Sequence, residues 1–203
     1  MLVAIATFAA AAVVVILFPG PDTLVVLRSV LRGGRSRGAA TAFGILTGLA
    51  VWVGVAALGL AAVLRASEVA YNALRIAGAA YLVWLGIQSL RSVLRKAPEP
   101  ELRGGIVGTG YVAGLVTNLL NPKVGVFFVT FLPGFVPHGY PIGPTSLLLG
   151  AVFLLLTCGY FVLLLAFASR LVRWMSTPRI RRRLDALTGA VLVGFGARLA
   201  AET

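Results

Sequence analysis

Long apolar runs, cut at intervals by clusters of arginine, proline or glycine, set the pattern of this chain. An α-helix needs about 20 apolar residues to cross the hydrocarbon core of a bilayer, and the runs have that length. The pattern predicts six such spans: one over 2–27, two over 39–64, three over 69–90, four over 107–132, five over 146–168 and six over 184–201. Span one is interrupted at Pro19-Gly20-Pro21 and span four at Asn121-Pro122. Span six is the shortest of the set.

Composition turns this pattern into a class. Hydrophobic residues make up 59% of the chain and charged residues 12%, with a mean hydropathy of +0.97. Soluble domains carry roughly 45–50% and about 25%, so the surplus apolar surface calls for lipid. All 203 residues fit one transmembrane domain, 1–203, with short loops. The amino terminus lacks a positive leader region and its apolar run outlasts a signal segment, which predicts a retained first helix.

A net charge of +12 would suggest nucleic acid in a soluble protein. Here the basic residues flank spans, which excludes that partner in favour of a topology signal. The linker after span one holds Arg28, Arg32, Arg35 and Arg37, and the linker after span three holds Arg91, Arg95, Lys96 and Arg103. With Arg170, Arg173, Arg179, Arg181, Arg182 and Arg183 after span five, these collect 14 of the 18 basic residues. The alternate loops offer Arg65 and His138. The expected orientation puts the three basic linkers in the cytoplasm and both termini outside. The run at 179–183 also suits anionic lipid heads.

Span four follows span one after an odd number of crossings, so the second half of the chain runs the opposite way. The predicted fold is an all-α integral membrane protein of two inverted three-helix repeats, about 1–96 and about 104–203, whose first helices are both broken. Spans three and six also share a Gly/Ala-rich face, Gly78–Gly86 beside Gly189–Gly196, which serves either a homodimer or internal packing.

Paired breaks in inverted halves point to a transporter's binding site. Proline lacks an N–H and clashes with the turn before it, so the backbone opens. Opened backbone is tolerated at membrane depth only where protein or a wet cavity satisfies it. Asn121-Pro122 reads as a helix N-cap followed by proline at the first position, and Gly20-Pro21-Asp22 as the start of another half-helix. Each half-helix N-terminus carries about half a positive charge and attracts a carboxylate.

Asp22 and Lys123 lie well inside the spans, where a charge costs about 2.5–3.5 kcal/mol without a partner or cavity. One reading makes them an ion pair fastening the halves. The other has Lys123 and the helix ends hold a substrate carboxylate while Asp22 faces an amino group or carries a proton. Asn118, one turn before Asn121, either hydrogen-bonds at the break or meets a neighbouring helix. Arg75 and Arg198 suit snorkelling to the interface. Thr47, Gln88, Thr117 and Thr157 suit interhelical hydrogen bonds, and Trp52 and Trp84 read as packing.

Other chemistries are excluded by what the chain lacks. Cys158 is the single cysteine, which rules out an internal disulfide and cysteine-pair redox chemistry. Metal-ligand spacing is missing, as are a phosphate-binding GxxxxGK[ST] loop and a nucleophile motif, so neither enzyme nor cofactor is expected.

Pro19-Gly20-Pro21-Asp22, followed by Gly114-x3-Asn118-x2-Asn121-Pro122-Lys123, Phe127-Phe128 and Phe131-Leu132-Pro133, resembles the LysE/RhtB family of amino-acid exporters over nearly the whole chain. Membership implies a carrier in the bacterial cytoplasmic (inner) membrane, expelling an amino acid or close derivative and driven by protons. The substrate-binding positions it implies here are Pro19, Gly20, Pro21, Asp22, Asn118, Asn121, Pro122 and Lys123, with Asp22 as the proton-coupling residue. Gly134 stands where many relatives have a polar residue, which bears on substrate choice. The alternative function is a passive channel or a lipid-handling membrane protein.

Overall fold

The computed structural model describes residues 1–17, 20–66, 68–94, 108–137, 139–168 and 170, with eight more between 186 and 197. Among the described residues every regular element is helical. They are α1 (Leu2–Leu17), α2 (Pro21–Ala66), α3 (Glu68–Leu94), α4 (Tyr111–Leu119), α5 (Pro122–Val126) and α6 (Ile142–Ala166). A π-helical turn, Phe127–Phe131, and a 3₁₀ turn, Leu132–Phe135, continue α5. The described residues between 186 and 197 are helical as well. Pro19, His138, Arg95, Lys96, Arg103, the arginines from 173 to 183, Arg198 and the side chain of Arg75 lie outside the described residues, as does most of span six.

Among the described residues, two helical stretches are long and apolar enough to cross a membrane, Pro21–Leu58 and Ile142–Ala166. A third arises if Tyr111–Leu119 and Pro122–Phe135, bent by 54°, form one broken span. Leu2 is 84% exposed, Leu155 73% and Val112 67%. Such outward apolar faces on several helices are what lipid, not water, accommodates.

α2 is not one rod. It folds back at Gly33 (φ −148°, ψ 18°) and Gly34 (φ 72°, ψ −175°), and the positive φ of Gly34 suits a residue without Cβ. Thr41 Oγ1 donates to Ser29 Oγ at 2.7 Å, although 12 residues of straight helix would separate them by about 18 Å. The two arms are thus the end of span one and the whole of span two, joined by a turn carrying Arg32, Arg35 and Arg37. Arg35 Nη2 donates to Ala166 O at 3.1 Å, so this basic turn and the end of α6, four residues before Arg170, share one end of the molecule.

Helices in lipid associate through close packing and hydrogen bonds because apolar burial between them gains little over lipid contact. The second arm of α2 and α4 follow that rule. A Cβ on Gly44 would collide with Tyr111 O, and one on Gly114 with Thr41 O. At the mouth of this crossing Gly110 N–H donates to Thr41 Oγ1 at 3.0 Å. α3 meets the 186–197 segment in the same manner: Gly86 lies against Gly189 and Val193, and Gly196 against Ala79 and Val83. The small faces of spans three and six pack on each other within one chain.

Aromatic rings fill the other side of the core. Phe127 stacks at 5.1–5.6 Å, centroid to centroid, on Phe128, Phe131 and Phe153, and Phe8 lies 5.3 Å from Phe135. Phe8 and Phe128 are fully buried.

Candidate functional site

α1 stops at Leu17 and Pro21 opens α2, with Gly20 between them accepting the first new helical bond from Leu24 N–H at 3.1 Å. Asp22 occupies the first turn of α2, where a negative charge complements the helix dipole. α4 ends one residue before Leu120. Asn121 Oδ1 then accepts from Lys123 N–H at 3.2 Å, and Pro122 takes the first helical position of α5. This is the N-cap arrangement expected from the sequence, and it satisfies a donor that the bend would otherwise strand.

The breaks meet. Asn118 Nδ2 donates to Asp22 Oδ2 at 2.8 Å, across 96 residues of chain. Lys123 Nζ donates to Val15 O at 3.0 Å, near the end of α1. A cation there also complements the negative end of the α1 dipole. The Asn118 amide thus faces a neighbouring helix, α2, and bonds it beside the first break. Gly48 makes the room, because a Cβ there would stand 2.6 Å from Asn118 Oδ1.

Two acceptors are left over: Asp22 Oδ1 and Asn118 Oδ1 are buried without a hydrogen-bond partner. Buried polar atoms seldom stay unmatched unless a ligand, ion or proton completes them in another state. The first acceptor belongs to a residue on the wall of a cavity of about 60 Å³, room for a few waters. Gly20, Asp22, Asn121 and Lys123 line it. Asn118 stands behind the wall, Pro21 and Pro122 open helices at its edge with exposed side chains, and Pro19 lies outside the described residues.

Several site residues escaped the sequence reading. Thr23 Oγ1 and Tyr160 Oη hydrogen-bond at 3.1 Å and both face the cavity. Phe153, Thr157, Tyr160 and Phe161 line it from α6 at helical spacing, a stripe that becomes a signal only once α6 is known to border the breaks. The Thr157 hydroxyl bonds Phe153 O of its own helix at 2.8 Å, where an interhelical bond was expected. Trp52 does more than pack: its Nε1–H reaches Asn118 O at 3.4 Å, and its ring covers Gly125. An indole far along the sequence carried no mark of either contact.

Residues 13–203 match the family model described as LysE type translocator. The chain belongs to the LysE family. This LysE-family chain is 37% identical to an uncharacterised membrane protein of Pseudomonas aeruginosa, over 97% of the chain and 94% of that protein. It is 34% identical to a leucine efflux protein of Enterobacter sp. (strain 638), over 96% of the chain and 93% of the relative. Identity to the threonine efflux protein of Escherichia coli (strain K12) is 29%, over 98% of each. No solved structure matches the chain. Membership makes it a membrane transporter, in agreement with its outward apolar faces.

Proposed function

We propose that this LysE-family member exports an amino acid, or a close derivative, from the cytoplasm, binding it where the two broken helices meet. The bond from Asn118 to Asp22 is the observation that carries the reading, because it joins the two motifs the resemblance rests on beside a small cavity. A substrate carboxylate competes with Val15 O for the Lys123 ammonium, and a substrate ammonium takes the unmatched Asp22 Oδ1. In the empty carrier a proton on that oxygen fills the same role, which makes Asp22 the coupling residue. Relatives named for leucine and threonine efflux support an amino-acid cargo.

The architecture we infer is six spans in two inverted three-helix repeats that rock about the breaks. The arginine-rich turn at 32–37 and the end of α6 share one end of the molecule, and the positive-inside rule makes that end cytoplasmic. The deciding experiment uses liposomes loaded with the twenty amino acids under a proton gradient. Wild-type protein releases one or a few of them, saturably and only with the gradient, and Asp22→Asn and Lys123→Ala release them about a hundredfold more slowly. Gradient-independent, unsaturable flux would mean a channel. For orientation, a cysteine at Ser36 in a Cys158→Ser background is labelled from the cytoplasmic face alone.

A further inference from the structure

We propose that Tyr160 is a substrate-binding residue, its phenol O–H donating to the carboxylate of the transported amino acid, and that Thr23 positions that phenol. The inference rests on the amino-acid reading above and adds a third element to the site: α6, which carries neither break. A threonine and a tyrosine hydroxyl bring two protons between them. The bond of 3.1 Å between Thr23 Oγ1 and Tyr160 Oη uses one. The second proton finds no acceptor among the described residues, although Thr23 is buried and Tyr160 partly so. Both side chains line the cavity, so the spare O–H serves whatever enters it.

The residue before Thr23 indicates what that is. Asp22 Oδ1 is a buried acceptor without a partner, and Asp22 lines the same cavity. A spare donor and a spare acceptor on consecutive residues call for a ligand that brings the opposite pair close together. An α-amino acid does so, because its ammonium and carboxylate sit on one carbon. With the ammonium at Asp22, one carboxylate oxygen turns to Lys123 and the other to the hydroxyl pair. Of the two hydroxyls the phenol is the more acidic, and a more acidic donor bonds an anion more strongly. Thr23 O–H donating to Tyr160 Oη polarises the phenol in the same direction. The chain of donors therefore runs from Thr23 through Tyr160 to the carboxylate.

The test is a binding titration of purified protein in detergent with each of the twenty amino acids. Each one that binds is compared with the amine bearing the same side chain and no carboxyl group, 3-methylbutylamine for leucine and 1-amino-2-propanol for threonine. In Tyr160→Phe the Kd of the amino acid should rise about tenfold, the loss of one hydrogen bond to a charged group, while that of the amine holds. Thr23→Val keeps the shape of the side chain and should weaken the amino acid about threefold, whereas Thr23→Ser keeps the hydroxyl and should bind as wild type. An amino-acid Kd unchanged in Tyr160→Phe overturns the inference. So does an equal loss for amino acid and amine, which would make the pair a structural tie between α2 and α6. If Tyr160→Phe does not fold, Thr23→Val carries the same comparison. No binding of any amino acid to folded wild-type protein overturns the amino-acid reading itself, and with it this one.

Discussion

The two breaks look alike in sequence, a proline beside a charge, yet they are held differently. The break before Pro122 is largely satisfied by its own neighbourhood: Asn121 caps Lys123 N–H, Asn121 N–H bonds Asn118 O at 3.0 Å, and Trp52 reaches the same carbonyl. The break before Pro21 depends on the other. Val15 O takes its side-chain donor from Lys123, and the donor to Asp22 comes from Asn118. One break is a platform held by its own residues and the other is bonded to it from outside.

The strongest challenge to this asymmetry is Asp22→Asn. It keeps the size of the side chain and removes the charge, so efflux should fall about hundredfold, the kinetic equivalent of losing a charged contact of about 3 kcal/mol. Hydrogen exchange at residues 121–125 should stay as in wild type; faster exchange there would show that the platform leans on Asp22. Asn118→Ala comes next. It strips Asp22 of its amide donor and should lower stability in detergent by about 2 kcal/mol, read by thermal unfolding. Exchange should quicken mainly around 21–24. Asn121→Ala removes the cap and should cost about 1 kcal/mol, with the faster exchange now at 122–126. Trp52→Phe loses the long bond to Asn118 O and the far edge of the indole that lies against Gly125, so about 1 kcal/mol is expected. A loss above 2 kcal/mol would make Trp52 a principal support of the platform.

Much of the scaffold was legible in the apolar runs. Span five was expected over 146–168 and α6 covers Ile142–Ala166; span three was expected over 69–90 and α3 covers Glu68–Leu94. Both breaks fell where proline removes a backbone donor, because that is a local property of the residue. The N-cap of Asn121 was legible for the same reason. Contacts between distant helices were not. Nothing near Lys123 indicated that its ammonium would seek the end of α1, and nothing near Trp52 or Tyr160 placed them at the breaks. Those outcomes depend on which faces the helices present to one another. The small-residue faces of spans three and six marked a packing surface without naming its partner, and the structure supplies it in Gly86 against Gly189.

The π-helical turn at Phe127–Phe131 holds one more residue than an α-turn of the same span. Everything after it is therefore rotated about 100° around the helix axis relative to an uninterrupted α-helix. Phe127 can face the cavity while Phe131 and Phe135 still reach the ring of Phe8 and its neighbours. Loss of a single codon between those for Phe127 and Phe131 would remove the extra residue and the π turn together, and would leave Phe131 and Phe135 facing the same way. Tightening the turn to an α-turn with every residue kept would instead swing both buried rings by that angle, away from the cluster around Phe8.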